Sequence, residues 1–417
     1  MKVVSVNRQR LNLAHSLLHE LDGVDLNESV VDIDGTIVLN EKMQILPLIS
    51  AFLCERQTKN KNADTTAKTY GRNLSYILSY LSKRSEFKHF ELDQHFLTVS
   101  RAVLEDYFSS LQSDGIEDST IRNRDASLKA FFDEFLCKTT SERPALRDDN
   151  PYCEGGFMTP SPKKNIVKPC DIIDLEQLML SSKYERERLI LQFIFDSGVR
   201  RSELGRINLS DIQEALRFTE SQLWGVSKDQ AISPSGYIPI IIAGSKGKSR
   251  QIKPRVAVVS IATLNRIKAY HASPLYKKYA RKYDYRRHPE LTPAFLNSHG
   301  ERINAKSIDN LLEKLSNKAL ANGRILKLIS PHKLRHGYAY EVLNSKDFGD
   351  DYLDRLVNVS KTLGHSKIET TQNTYTRIPV DIYQKMLDKD GEVLTKAKKM
   401  ELLTKRTKIK ILIGDRK

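Results

Sequence analysis

Cysteine is scarce: four residues in a chain of 417. Cys54, Cys137, Cys153 and Cys170 make no C-x-x-C pair and no ladder of short spacings. That excludes a disulfide framework and a zinc knuckle, and points to free thiols in a reducing compartment. No run of about 18 or more apolar residues occurs, so no membrane-spanning helix is expected. Residues 1–10 are mixed and polar and lead into no signal-peptide core, which makes a cytoplasmic protein the expectation. Carboxylates are in deficit, 52 Asp and Glu against 67 Lys and Arg, for a net charge of +15 and a pI near 9.4. No H-E-x-x-H motif and no carboxylate cluster is present, so a metal-dependent nuclease lacks its ligands. What is abundant is positive charge, which attracts polyanions and nucleic acid above all.

The length allows two or three domains, and the pattern divides the chain without any internal repeat. Residues 1–40 read as a poorly patterned leader, with a short hairpin around Asp34-Gly35 in residues 30–38. Residues 41–138 turn helical. Tyr70, Leu74, Ile77, Leu78 and Leu81 follow an Asp64-Thr65 cap, Leu104, Tyr107, Phe108 and Leu111 lead to a stop at Gly115, and Ala126, Leu128, Phe131, Phe132, Phe135 and Leu136 follow Asp118-Ser119-Thr120. Arg122, Arg124 and Lys129 lie off that last stripe, where they contact DNA phosphates or are simply solvated. Residues 139–170, punctuated by Pro and Gly, read as a linker. A second domain, 171–391, is mostly helical with one β section at residues 237–259. Residues 213–235, around Trp224, read as an insertion before it, and residues 380–387 as a late helix. Residues 392–417 form a basic tail whose apolar run, Ile409 to Ile413, needs a surface to cover it. The expected fold is mainly α with a small antiparallel sheet.

Chemistry concentrates in few places. Ser330-Pro331-His332-Lys333-Leu334-Arg335-His336 puts His332 and Arg335 at i and i+3 on one helix face. Arg200 follows a turn at Gly198, with Glu203 three residues on to steady it. Lys246 sits in the turn Gly244-Ser245-Lys246-Gly247-Lys248-Ser249-Arg250, where Lys248 is able to substitute. His365 lies in Leu363-Gly364-His365-Ser366, ten residues before Tyr375. Breaking a phosphodiester without a metal needs a nucleophile, fixed positive charge on the non-bridging oxygens and a proton for the leaving oxygen. Tyrosine, arginine and lysine suit those tasks in turn. His332 and His336 at i and i+4 also resemble a zinc pair, but no glutamate joins them and Lys333 and Arg335 repel a cation.

The order G-V-R-R-S-E-L, S-K-G-K-S-R, P-H-K-L-R-H, L-G-H-S and T-T-Q-N-T-Y-T resembles the tyrosine recombinase (phage integrase) family over about 171–390. Residues 41–138 resemble its helical core-binding domain more loosely. The resemblance implies catalytic roles for Arg200, Lys246, His332, Arg335, His365 and the nucleophile Tyr375, with Glu203 behind Arg200. Lys248 and Arg250 join Arg122, Arg124 and Lys129 as candidate DNA contacts. It further implies a 3′-phosphotyrosine intermediate, neither metal nor ATP, and a homotetramer on two DNA duplexes with each C-terminal segment packed on its neighbour. Three other readings remain open: a type IB topoisomerase-like relaxing enzyme, a non-catalytic DNA-binding accessory protein on the same fold, and Tyr383 as an alternative nucleophile that lacks the preceding motif.

Overall fold

The computed structural model describes residues 1–12, 30–58, 64–141, 144–157, 168–223, 236–245, 253–364, 368, 371–372 and 394–409. They divide into two compact units, one within Met1–Lys164, the other within Asn165–Ser245 and Ile252–Lys417.

The first unit opens on a sheet, not a leader. β1 (Lys2–Asn12) pairs antiparallel with β2 (Val30–Leu39), from Lys2 opposite Leu39 to Asn12 opposite Val30, with a register shift between Val6 and Gln9. The hairpin expected around Asp34-Gly35 is therefore one continuous strand. Gly35 serves proximity instead of a turn, because a Cβ there would lie 2.7 Å from Cys54 Sγ of the packed helix α1 (Pro47–Thr58). Helix α2 (Asp64–Leu81) buries Leu74, Ile77, Leu78 and Leu81 at the expected spacing. Its Asp64 accepts from Ser5 Oγ at 2.7 Å, joining helix to sheet.

Helix α3 (Arg101–Ser113) starts at Ser100, whose hydroxyl accepts from the Val103 amide, and the chain turns at left-handed Gly115 (φ 70°). In α4 (Asp118–Phe131), Ala126 is exposed and Ser127 buried, accepting from Asn73 Nδ2 at 2.9 Å. A wider π turn, Phe132–Leu136, then rotates Phe132, Phe135 and Leu136 into the core. There Phe52, Phe96 and Phe135 gather around Phe131 at ring separations of 5.1 to 5.8 Å.

The Pro- and Gly-rich stretch is only partly a linker. Residues 144–157 are packed on this unit: buried Arg147 donates to the Phe96 carbonyl at 3.0 Å, Tyr152 Oη donates to Asp125 at 2.9 Å, and Phe157 is buried.

The second unit is built on α5 (Ile172–Leu180) and α6 (Glu185–Ser197). Residues 189–197 of α6 are buried without exception, because α12, α9 and β4 surround them. Next come α7 (Arg201–Leu204) and α8 (Leu209–Leu223). The first part of the expected insertion thus belongs to a helix, whereas Trp224 lies outside the described residues. β3 (Tyr237–Ser245) pairs antiparallel with β4 (Lys253–Ser260). Then follow α9 (Ile261–Ala272), α10 (Pro274–Ala280), α11 (Ala305–Ala321), α12 (Pro331–Leu343) and α13 (Tyr352–Leu363). Ser260, Ser273, Asn304, Ser330 and Asp351 cap these five helices in turn, each contributing about 1 kcal/mol.

Helix α14 (Lys396–Thr407) overturns the expectation of a separate basic tail for residues 394–409. It is capped by Thr395 and packed on α5, α6 and α9 of its own unit. The expected helix at 380–387 and the run after Ile409 lie outside the described residues. Among the described residues no helix is long and apolar enough to cross a membrane, and no three His, Cys, Asp or Glu residues group as metal ligands.

Candidate active site

Helix α6 ends in Gly198, at φ 61° and ψ 23°. A Cβ there would lie 2.5 Å from the buried Tyr338 ring, so both conformation and space require glycine. The turn delivers Arg200 to the N-terminus of α7. Glu203 reaches back: its carboxylate accepts from the Arg200 amide at 2.7 Å and from Arg200 Nη1 at 2.9 Å. The Arg200 side chain is 30% exposed and that of Glu203 wholly buried, so one end of the pair is anchored and the other faces solvent.

Pro331 opens α12 and sets His332 and Arg335 one turn apart on the side toward Gly198. Arg335 is 4% exposed. Its Nη1 donates to the Gly198 carbonyl at 2.5 Å and its Nη2 to the Leu363 carbonyl at 2.6 Å. Both carbonyls end helices, and carbonyls of a last turn lack intrahelical partners. Arg335 thus ties the ends of α6 and α13 to α12.

His332 lies at the exposed edge of the site, its ring edge-on to that of His336 with centroids 4.4 Å apart. Burial pushes its proton affinity below the ordinary histidine range, and the charges of Arg335, Arg200 and Arg201 push it further the same way. Three guanidiniums therefore act on one neutral imidazole. Glu203 is driven upward by burial, yet the Arg255 hydrogen bond and charge, with the Arg200 amide and charge, outweigh that and hold it at about 2.

Of the six residues implied as catalytic, the structure brings Arg200, His332 and Arg335 together, with Glu203 behind Arg200. Lys246, His365 and Tyr375 lie outside the described residues, as do Lys248, Arg250 and Tyr383. Their points of attachment are described. Ser245 pairs with Lys253 at the base of the β3–β4 turn, where Arg206 donates to the Gly244 carbonyl at 2.7 Å. Gly364, left-handed at φ 64°, closes α13 just before His365. In the first unit, Arg124 donates to Tyr107 Oη at 3.0 Å and lies over the Tyr76 ring at 4.4 Å, so it is engaged in packing. Arg122 is partly exposed and Lys129 exposed. Arg201 is half-exposed and paired with Asp309.

The model of the phage integrase family matches residues 166–380, more than half of the chain and all of the site above. The chain belongs to the phage integrase family. As a tyrosine recombinase it breaks and rejoins DNA. It is similar to the tyrosine recombinase XerD of Oceanobacillus iheyensis, 25% identical over 329 residues that cover 77% of this chain and 92% of that one. Similarity to XerC of Pelotomaculum thermopropionicum is 24% over 349 residues, covering 82% and 96%. Among solved structures, the Tn1549 transposon integrase in complex with a circular intermediate DNA shares the fold with a TM-score of 0.51 at 14% identity, covering 81% of this chain and 97% of that one. XerH site-specific recombinase bound to palindromic difH substrate, post-cleavage, shares it with a TM-score of 0.50 at 17% identity, covering 80% of each chain.

Reading the recombinase's sequence missed Arg255 on β4, which meets Glu203 through two nitrogens, at 2.6 and 3.2 Å. No local spacing marks it, since its partner is 52 positions away. Gly337 likewise carries no motif, yet it is tightly packed. A Cβ at that position would lie 2.2 Å from the Cys170 carbonyl oxygen and 2.4 Å from the Phe195 ring. A backbone oxygen yields little, so Gly337→Ala is expected to lift α12 from α6 and cost about 1–3 kcal/mol in urea unfolding. The same shift would carry Arg335 away from Gly198.

Proposed function

We propose that this recombinase cuts and reseals DNA at a specific site through a 3′-phosphotyrosine link to Tyr375. It would serve integration or excision of a mobile element, working in the cytoplasm as a homotetramer on two duplexes. The observation that carries this reading is the convergence of Arg200 and Arg335 around a neutral His332, each arginine fixed by a partner that is not DNA. Such preorganised charge needs no rearrangement when the phosphorane's negative charge develops. Arginine's planar fork holds two phosphate oxygens at once.

A phenol with a pKa near 10 is ionised only about one part in a thousand at neutral pH. The neutral imidazole of His332 is available to take a proton in the site, and the guanidiniums favour the phenolate. Lys246, or Lys248 beside it, would protonate the leaving 5′ oxygen, and His365 would add a phosphate contact. The phosphotyrosine conserves the energy of the broken bond, so the 5′ hydroxyl reseals it by reversal without ATP.

A nicked suicide duplex carrying the recombination site tests the reading. The protein should form an adduct that survives denaturation and forms equally with a chelator present, and peptide mapping should place the DNA on Tyr375. Absence of an adduct, or linkage at another residue, refutes the assignment. Supercoil relaxation with no recombinant product would reassign the enzyme as a topoisomerase-like relaxing enzyme. Binding to the site should weaken steeply with salt, with a slope of about −0.9 per phosphate contact.

A further inference from the structure

Arg255 belongs to none of the motifs above, yet all three of its guanidinium nitrogens are engaged in the site. Its side chain is 7% exposed. Nη2 donates to Glu203 Oε2 at 2.6 Å and Nε to Glu203 Oε1 at 3.2 Å. Those same two oxygens accept from the Arg200 amide and Arg200 Nη1. The buried carboxylate is thus sandwiched between the two arginines, each of its oxygens accepting one hydrogen bond from Arg200 and one from Arg255. The third nitrogen, Nη1, donates to the Thr362 carbonyl in the last turn of α13. The aliphatic stem closes the contact, since a Cβ on left-handed Gly364 would sit 2.8 Å from Arg255 Cδ.

We propose that Arg255 is a positioning residue for strand cleavage, locking the Glu203–Arg200 pair to the end of α13 from which the chain departs toward His365. The proposal rests on the reading of Arg200 and its neighbours as the cleavage centre. Arg335 reaches the next carbonyl of the same turn, Leu363, so two arginines from different elements grip one helix end. Arg335 fixes it to α12 and Arg255 fixes it to β4 and α7. Only a guanidinium has the geometry for this task, because a lysine ammonium cannot present a two-pronged face to the carboxylate and also reach a carbonyl. Without Arg255, Glu203 keeps a single charged partner in a buried site. Arg200 is then held by a carboxylate free to shift, and a misplacement of about 1 Å costs on the order of 10²-fold in rate.

The lock also has a pH signature. The charged groups facing Glu203 are Arg255 from β4 and Arg200 from the turn before α7. Beyond Arg200 lie His332 and Arg335 of α12 and the Arg201–Asp309 pair. In the wild type Glu203 stays ionised until the pH falls to about 2. Removing Arg255 leaves burial less opposed, so the carboxyl takes a proton at higher pH and releases Arg200. His332 titrates in both proteins, and Arg255 is not among the charges that act on it, so its effect cancels in the ratio of their rates.

The test compares full-length wild type, Arg255→Met and Arg255→Lys on the nicked suicide duplex, with site affinity by fluorescence anisotropy and single-turnover adduct rates from pH 5 to 8. Arg255→Met should bind within about threefold of wild type and cleave about 10²-fold more slowly, the deficit widening as pH falls. Arg255→Lys should recover thermal stability more than rate. Adding Glu203→Gln to Arg255→Met should abolish the widening. Should Arg255→Met fold poorly, Arg255→Lys is read by the same rate and pH criteria. Unchanged rates, a deficit equal at every pH, or binding lost in step with cleavage would overturn the positioning role. A wild type that forms no adduct would instead sink the cleavage reading itself.

Discussion

Arg335→Ala is expected to slow formation of the covalent DNA adduct by 10³-fold or more, the nucleophile being untouched. Three effects act in the same direction. Loss of one preorganised cationic donor costs about 10²–10³ in rate. The Gly198 and Leu363 carbonyls then lose a charged donor inside the protein, at about 1–3 kcal/mol for each group left unsatisfied. With them goes the tie that sets the end of α6, and hence Arg200, against α12. Finally, Arg335 is the largest of the charges that lower the proton affinity of His332. Without it the histidine moves back toward its ordinary range. The neutral form persists to a lower pH in the wild type than in the variant, so the residual rate of Arg335→Ala should fall on acidification starting at higher pH. Arg335→Lys retains a charge but not the fork, and should sit nearer alanine than wild type in rate. Single-turnover kinetics with protein in excess reads all of this. An Arg335→Ala rate within tenfold of wild type would mean that this guanidinium does not carry phosphate charge.

How much of this was legible beforehand depends on distance along the chain. Gly198, Arg200 and Glu203 signal one another within six residues, and Ser330-Pro331 announces a helix that puts His332 and Arg335 on one face. The antiparallel pair around residue 245 was visible because β-branched residues alternate on both sides of a Gly-rich turn. Arg255 was not legible, for its partners are 52 and 107 positions away. Helix α13, absent from the expected elements, does carry a local signal: Leu356, Val359 and Leu363 recur at 3–4 spacing after the Asp351 cap. The strand at 30–39 misled because Asp-Gly is the usual mark of a turn, whereas Gly35 is there to let α1 approach. In the expected linker, Pro and Gly are the marks of a loop, whereas Arg147, Tyr152 and Phe157, too widely spaced to form a periodic pattern, bind the stretch to the first unit. The C-terminal helix hid for another reason. Its buried face is Lys396, Lys399, Met400, Leu403 and Thr407. Two of five core-facing positions are lysines, so a search for apolar periodicity counts the face as polar and reads a solvated tail.

Those lysines define the second large effect. Lys396→Ala is expected to destabilise the second unit by about 3–5 kcal/mol, the usual result of stripping one partner from a buried ion pair. Lys396 and Asp196 are both fully buried and paired. Lys396 Nζ also donates to the Asp196 carbonyl at 2.8 Å, and its charge lies 4.9 Å from the Tyr237 ring and 5.1 Å from that of Tyr338. Aromatic faces around a desolvated ammonium add about 2 kcal/mol, but they carry no formal charge, so the carboxylate remains the principal partner. Asp196 in turn accepts from the Ser260 amide at 2.9 Å and its hydroxyl at 2.6 Å. Two neutral donors cannot replace a cation for a carboxylate sealed from water. Because Asp196 stands two residues before Gly198, the strain falls on the helix end that positions Arg200. Cleavage should therefore drop along with stability. Asp196→Asn combined with Lys396→Met removes both charges and should recover most of the lost stability, since the cost lies in the stranded charge rather than in the missing bond. Urea unfolding of the full chain measures both variants. A loss below about 1 kcal/mol in Lys396→Ala, or a double variant no better than the single one, would show that the last helix is held by its apolar contacts and by Lys399–Glu341 instead of by this pair.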